Sequence, residues 1–321
     1  MTIYVAGAES EIFGAAKYRD GTNYYDPNYT RGGFLTEPVS ASYFDIPVPF
    51  GGDSGAGFWL RVRFYIMVGS GYANRDLVRF WDVGGSEIVR VQCTKGAFSG
   101  LHVTSSTGES GSTTLDVSKS EGFLDVHYYR DEESTRVDAY VDGSLVGSAT
   151  AAGTNATVGK VAFQQLSHDM DYPARSAFSE VIIADEDTRG MRVKTVIAAG
   201  DDAAHNWVGT YAEIDEYGDA ADGISAPSDG QTALFTHTND IALNNIHSFV
   251  IAGRIAAATP DGAQGLVRLD GTNYETPFGA DLAAGEQSRF AVFGTNPATG
   301  LPWTAADINS MSFGIKSGPP A

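Results

Sequence analysis

The chain has 321 residues with 40 acidic and 21 basic side chains, a formal net charge of −19. That charge repels nucleic-acid phosphates and excludes DNA or RNA as the natural partner, and no run of about 18 apolar residues is present to span a membrane. A single cysteine, Cys93, rules out an intrachain disulfide.

At a typical ~150 residues per domain, the length predicts two domains. Hydrophobic residues make up 42% of the chain, enough for a real core. With 38 Gly, 15 Tyr and 17 Phe, the composition favours short strands joined by tight turns. The N-terminus, MTIYVAGAES, has neither a charged leader nor a long apolar run, so no signal peptide is expected. The expectation is synthesis in a host cytoplasm.

Residues 1–57 are rich in Gly, Tyr, Asn and Pro and read as loops around short strands. Residues 58–68 are the clearest strand: Phe58, Leu60, Val62, Phe64 and Ile66 share one face, and Trp59, Arg61, Arg63 and Tyr65 the other. Further strands are predicted at 77–81, 88–93, 100–104 and 123–129. Cys93 falls in the alternating segment 88–93 and reads as a packed small side chain. Segments 135–141 and 145–149 flank Asp142-Gly143, a hairpin signal. Strands at 158–165 and 178–184 complete the first half.

The polar stretch 185–191 predicts a boundary, giving domains 1–187 and 188–321. The second half is predicted to hold strands at 193–198, 232–236, 248–255, 266–269, 274–278, 290–293 and 311–315, with Asp270-Gly271 as another hairpin turn. One helix is predicted at 305–309, with Thr304 as its cap and Asp307 completing a capping box. The whole reads as all-β: two β-sandwich domains in tandem.

Two resemblances sharpen this. The hairpin RVDAYVDGSLVGS, residues 136–148, resembles concanavalin A-like and laminin-G-like jelly rolls, in which a late strand ends in Tyr-Val-Asp-Gly. The run NPATGLPWTAADINSMSFGIKSGP, residues 296–319, is similar to the end of a family of tailed-bacteriophage virion proteins: a Pro-x-Thr-Gly turn, Trp-Thr, Asp-Ile-Asn, then a short strand ending Phe-Gly-x-Lys. RLDGTNYET, residues 268–276, and Asp215-Glu216 extend that likeness upstream. It implies a structural component of a virus particle, in its tail, fibre or head surface. Its partners would be other virion proteins and further copies of itself, and its location the virion.

Little in the sequence points to catalysis, and the expectation is a non-enzymatic protein. Concanavalin A-like glucanases carry acids at alternate strand positions, which aims them into one cleft. The nearest run here, Glu213-Ile-Asp215-Glu216-Tyr217, has tyrosine at the third position, so the pattern is broken. A polysaccharide depolymerase is therefore the least favoured reading. The six histidines form no paired zinc-type motif. Calcium would look to Asp131–Glu133, Asp185–Asp187 or Asp219–Asp222, none of which has a shaped calcium-loop pattern, so no cofactor is expected. Surface aromatics remain: Trp59, Tyr65, Trp81, Tyr128 and Tyr129 are the candidates for contact with a neighbouring subunit or, as the alternative function, with a host-surface glycan.

Overall fold

The computed structural model describes residues 1–7, 17–19, 25–30, 33–36, 43–47, 57–66, 75–94, 97–130, 133–154, 156–164, 176–214, 223–238, 240–257, 262–278 and 285–319. Among them the regular secondary structure is nearly all strand, in antiparallel pairs, and the chain divides into two compact units, Met1–Lys194 and Thr195–Ala321. No described helix is long and apolar enough to cross a membrane.

The first unit pairs two sheets. One contains β1 (Ile3–Gly7), β2 (Lys17–Arg19), β3 (Gly33–Thr36), β5 (Phe58–Ile66), β10 (Glu121–Arg130), β11 (Ser134–Val141), β12 (Ser144–Ala152) and β14 (Ser176–Ala184). Its order is β12-β11-β10-β5-β14-β3-β2, with β1 paired to β14. The other contains β4 (Tyr43–Pro47), β6 (Arg75–Asp82), β7 (Glu87–Thr94), β8 (Ala97–Thr104), β9 (Ser110–Ser118) and β13 (Val158–Gln164), in the order β4-β13-β6-β7-β8-β9.

Strand alternation dictates which side chains meet between these sheets. Leu60, Val62 and Phe64 of β5 and Leu124 and Val126 of β10 are fully buried, as are Phe80, Val91 and Leu101 opposite. Edge-to-face ring contacts bridge the sheets, Phe58 to Phe80 at 5.0 Å and Phe64 to Phe98 at 5.0 Å. Cys93 is buried on β7, packed as a small side chain. β11 and β12 turn at Asp142-Gly143 with φ of 48° and 79°; two successive positive values give the turn whose twist matches a hairpin. Asp270-Gly271 repeats this geometry in the second unit, with φ of 48° and 79°.

The second unit holds β15 (Ala198–Asp201), β16 (Thr232–His237), β18 (Ala263–Leu269), β19 (Thr272–Pro277) and β21 (Ser312–Ser317), ordered β15-β16-β21-β18-β19. β17 (Phe249–Ala257) pairs with β20 (Gly285–Phe293) in a separate ribbon. Phe249, Ile251 and Phe293 of the ribbon share one core with Val267, Leu269 and Phe313 of the larger sheet. The helix α1 (Ala305–Ser310) starts at Thr304, whose hydroxyl accepts from Asp307 N while the Asp307 carboxylate accepts from Thr304 N. That is the capping box read from the sequence. Trp303, just before the cap, is buried and donates from Nε1 to Phe293 O at 2.7 Å.

One expectation is corrected here. Residues 193–197 form no strand; the first strand of the second unit is β15, beginning at Ala198. The division of the chain lies after Lys194, and residues 188–194 are fastened to the first unit. Arg192 donates to Glu180 at 2.7 and 2.8 Å and to Asp26 at 2.8 Å, Lys194 reaches Asn28 O at 2.9 Å, and Thr188 is fully buried. A stretch that is polar enough to resemble a linker is held by its charges to the sheet beneath it.

Candidate functional site

The outer face of the first unit's larger sheet carries the odd-numbered residues of β5 and β10 and the even-numbered residues of β11. Strand register places them in rows. Trp59 faces His127, which faces Asp138, which faces Ser148. The next row runs Arg61, Asp125, Tyr140.

The Arg61–Asp125 part of that second row is sealed. Arg61 grips both Asp125 oxygens at 2.8 and 2.7 Å and donates from Nε to Met191 O at 2.8 Å. Phe123 lies between guanidiniums, 4.1 Å from Arg61 and 5.1 Å from Arg192. Burial pushes the Asp125 carboxyl up, and the adjacent Arg61 charge pulls it back. This end of the face is built for structure.

The Trp59 row is different. The Trp59 and His127 rings stack at 4.0 Å with 9° between planes, and His127 stacks on Tyr129 at 4.1 Å and 15°. Tyr140 lies against Trp59 at 5.8 Å. His127, Tyr129 and Tyr140 are half-buried, whereas Trp59 is only 6% exposed. Around these rings stand groups that bond to hydroxyls. The buried Asp138 carboxylate accepts from Ser148 Oγ, from Arg136 Nε at 3.0 Å and from Tyr129 OH at 3.1 Å. Arg189 lies 4.5 Å from the Tyr140 ring and 5.4 Å from that of Trp59, and is held by Asp187 at 2.9 and 3.0 Å.

Desolvation dominates the electrostatics. Burial drives the His127 imidazole down to about 4 against the opposing pull of Asp138, so it is neutral at neutral pH. Burial, with Asp138 beside it, pushes the Tyr129 phenol up to about 12. His127 Nε2 is buried without a hydrogen-bond partner among the described residues. Gly57, at φ +88°, comes close to it, and a Cβ there would sit 2.5 Å from that nitrogen. Only glycine lets the backbone come this close to the ring edge.

The five aromatics picked out from the sequence are not brought together. Trp59 and Tyr129 meet in this cluster, through His127. Tyr65 is on the same face but at the far end of β5, opposite Glu121 and Ala177, about 20 Å along the strand from Trp59 at ~3.3 Å per residue. Trp81 belongs to the other sheet, half-buried beside Lys160. Tyr128 is not a surface residue. It follows the phase of Leu124 and Val126 into the core, is 1% exposed, and exchanges hydrogen bonds with Ala156 O at 3.2 Å and Ala156 N at 2.9 Å. His127, Asp138, Tyr140 and Arg189 complete the cluster; the phase shared by Arg136, Asp138 and Tyr140 would have exposed two of them.

The acidic candidates do not assemble. Glu213 is half-buried in a 3-10 turn, Tyr211–Glu213, where its carboxylate accepts from Thr210. Residues 215–222, 131–132 and 165–175 lie outside the described residues. Among the described residues, no group of three or more His, Cys, Asp or Glu side chains is placed to hold a metal ion.

No protein-family model matches the chain, and no curated protein matches it. Solved structures do. The botulinum neurotoxin serotype D binding domain is 9% identical, over 92% of this chain and 78% of that one, with a TM-score of 0.41. The binding domain of Paraclostridial Mosquitocidal Protein 1 is 8% identical, over 98% and 97%, at 0.39. A legume lectin-like domain from Entamoeba histolytica is 9% identical, over 48% and 84%, at 0.35. This chain is an all-β sandwich protein. Similarity at this level carries no argument about what it binds, which rests on the residues themselves.

Proposed function

We propose that the protein is a carbohydrate-binding module whose site is the Trp59–His127–Tyr129–Tyr140 face of the first unit. The observation that supports this reading is the pairing, on rigid strands, of aromatic rings with Asp138, Arg136 and Ser148. A sugar presents apolar C–H groups and a ring of hydroxyls, and binding it takes both kinds of surface side by side. The neighbouring Arg61–Asp125 pair, by contrast, is closed on itself and on Met191 O. The role is binding without catalysis. The isolated protein, applied to immobilised glycans, retains a defined subset, and Tyr140→Ala abolishes retention; equal retention by the variant refutes this site.

A second reading, favoured by residues 296–316, is that the module is part of a virion, where it would contact other virion proteins and copies of itself. In support, Asn296 O accepts from Gly300 N at 2.8 Å to close the Pro297-containing turn, Trp303 is buried, and Thr304 caps α1. The phage-type segment therefore folds as one built unit. Copurification of the chain with intact particles, at constant stoichiometry through a density gradient, tests this reading, and its absence from particles overturns it.

A further inference from the structure

Arg61, Arg136, Arg189 and Arg192 surround the aromatic cluster on the outer face of the first unit's larger sheet, and three of these are built into it. Arg61 bonds Asp125 and Met191 O across the sheet, Arg192 bonds Glu180 and Asp26, and Arg136 bonds Asp138 and Ser148. Arg189 is held differently. Among the described residues its hydrogen bonds go to Asp187, two positions away on the same exposed turn. Its side chain is 35% exposed and that of Asp187 45%. A pair that exposed can open into solvent without stranding a buried charge. Yet this solvent-exposed guanidinium, bonded only to its own turn among the described residues, lies over Trp59 and Tyr140.

The stacking makes this placement consequential. Both faces of His127 are filled, by Trp59 and Tyr129. One face of Trp59 is filled by His127, and the outer rings are overlaid by guanidiniums, Tyr129 by Arg136 at 5.7 Å and Tyr140 by Arg189 at 4.5 Å. A sugar ring stacks only on an open aromatic face. The face that the structure can open without breaking a bond to the sheet is the one beneath Arg189.

We propose that Arg189 is a displaceable cap that holds the ligand's place over Trp59 and Tyr140, and that the ligand it stands in for is a neutral pyranose. This rests on the glycan reading above. Neutrality follows from the charges left when Arg189 swings out with Asp187. Asp138 stays beside the vacated face with its counter-ion Arg136 committed to it, and the chain as a whole carries −19. An anionic sugar would meet carboxylates with no unmatched cation, whereas neutral hydroxyls can donate to Asp138.

The test compares wild type, Arg189→Ala and Asp187→Asn by acrylamide quenching of tryptophan fluorescence and by titration with neutral and uronic-acid oligosaccharides. Removing the cap is expected to raise quenching, with the rise absent in a Trp59→Phe background. It is also expected to tighten neutral-sugar binding several-fold, with Asp187→Asn intermediate and uronic-acid sugars unbound. Unchanged quenching in Arg189→Ala overturns the cap. Weaker neutral-sugar binding also overturns it, since Arg189 would then be a direct contact. Preferential uronic-acid binding overturns the neutral ligand while leaving the glycan reading standing. If quenching rises but neither protein binds any sugar, the glycan reading fails and the named ligand with it.

Discussion

Trp59 and His127 are register partners on neighbouring strands, and their rings lie 4.0 Å apart and 9° from parallel. Each ring desolvates the other, which ties an aromatic contact to a titration.

The first prediction follows from that tie. The unfolded chain takes up a proton at His127 near pH 6.5, the folded chain only near pH 4. Between those values the unfolded state binds more protons, so this group's contribution to stability is complete above pH 6.5 and declines as pH drops toward 4. His127→Phe keeps a ring in the stack and cannot titrate. Thermal melts from pH 4 to 7 should show a flatter profile for the variant; parallel profiles would mean that His127 is not the titrating group.

Tyr128 should matter to stability and not to binding. Its hydroxyl both donates to Ala156 O and accepts from Ala156 N, at the edge of the core. Tyr128→Phe strips two backbone groups of their partner and should cost about 1–3 kcal/mol. Chemical denaturation measures the loss, and glycan retention should be unchanged.

Glu180 is fully buried on β14 and its carboxylate is held by Arg192. Arg192→Met leaves that charge buried and unpaired, for a loss of about 3–5 kcal/mol. The double variant Arg192→Met/Glu180→Gln should recover part of it. A single variant as stable as wild type would show that the pair does not fasten residues 188–194.

At the other end of the chain, Thr304→Ala removes the hydroxyl that accepts from Asp307 N and should destabilise the second unit by about 1 kcal/mol. Hydrogen exchange at residues 305–308 should speed up while β10 and β5 stay protected. Uniform acceleration across both units would contradict a local cap.

Most strands were legible because one face of each is apolar: β5 begins at Phe58 and α1 at Ala305, as expected from alternation and from Thr304 with Asp307. β9, reading SGSTTLDVS, was not, because only Leu115 among its residues is buried and the strand is otherwise polar. The site was half legible. Trp59 and Tyr129 stand out as aromatics in the polar phase of their strands. Tyr128 is aromatic too, but it shares the apolar phase of Leu124 and Val126, and that phase takes it into the core. Arg189 and Asp187 could not be foreseen, since their place over Trp59 depends on where the 188–194 segment returns to the sheet. No local pattern encodes that return.

The most direct measurement is the retention of wild type, Tyr140→Ala and Trp81→Ala on immobilised neutral glycans. Binding by wild type and Trp81→Ala, with at least a tenfold loss for Tyr140→Ala, is the predicted result. A Tyr140→Ala protein that binds like wild type, or a wild type that binds no glycan, contradicts a sugar site on this face.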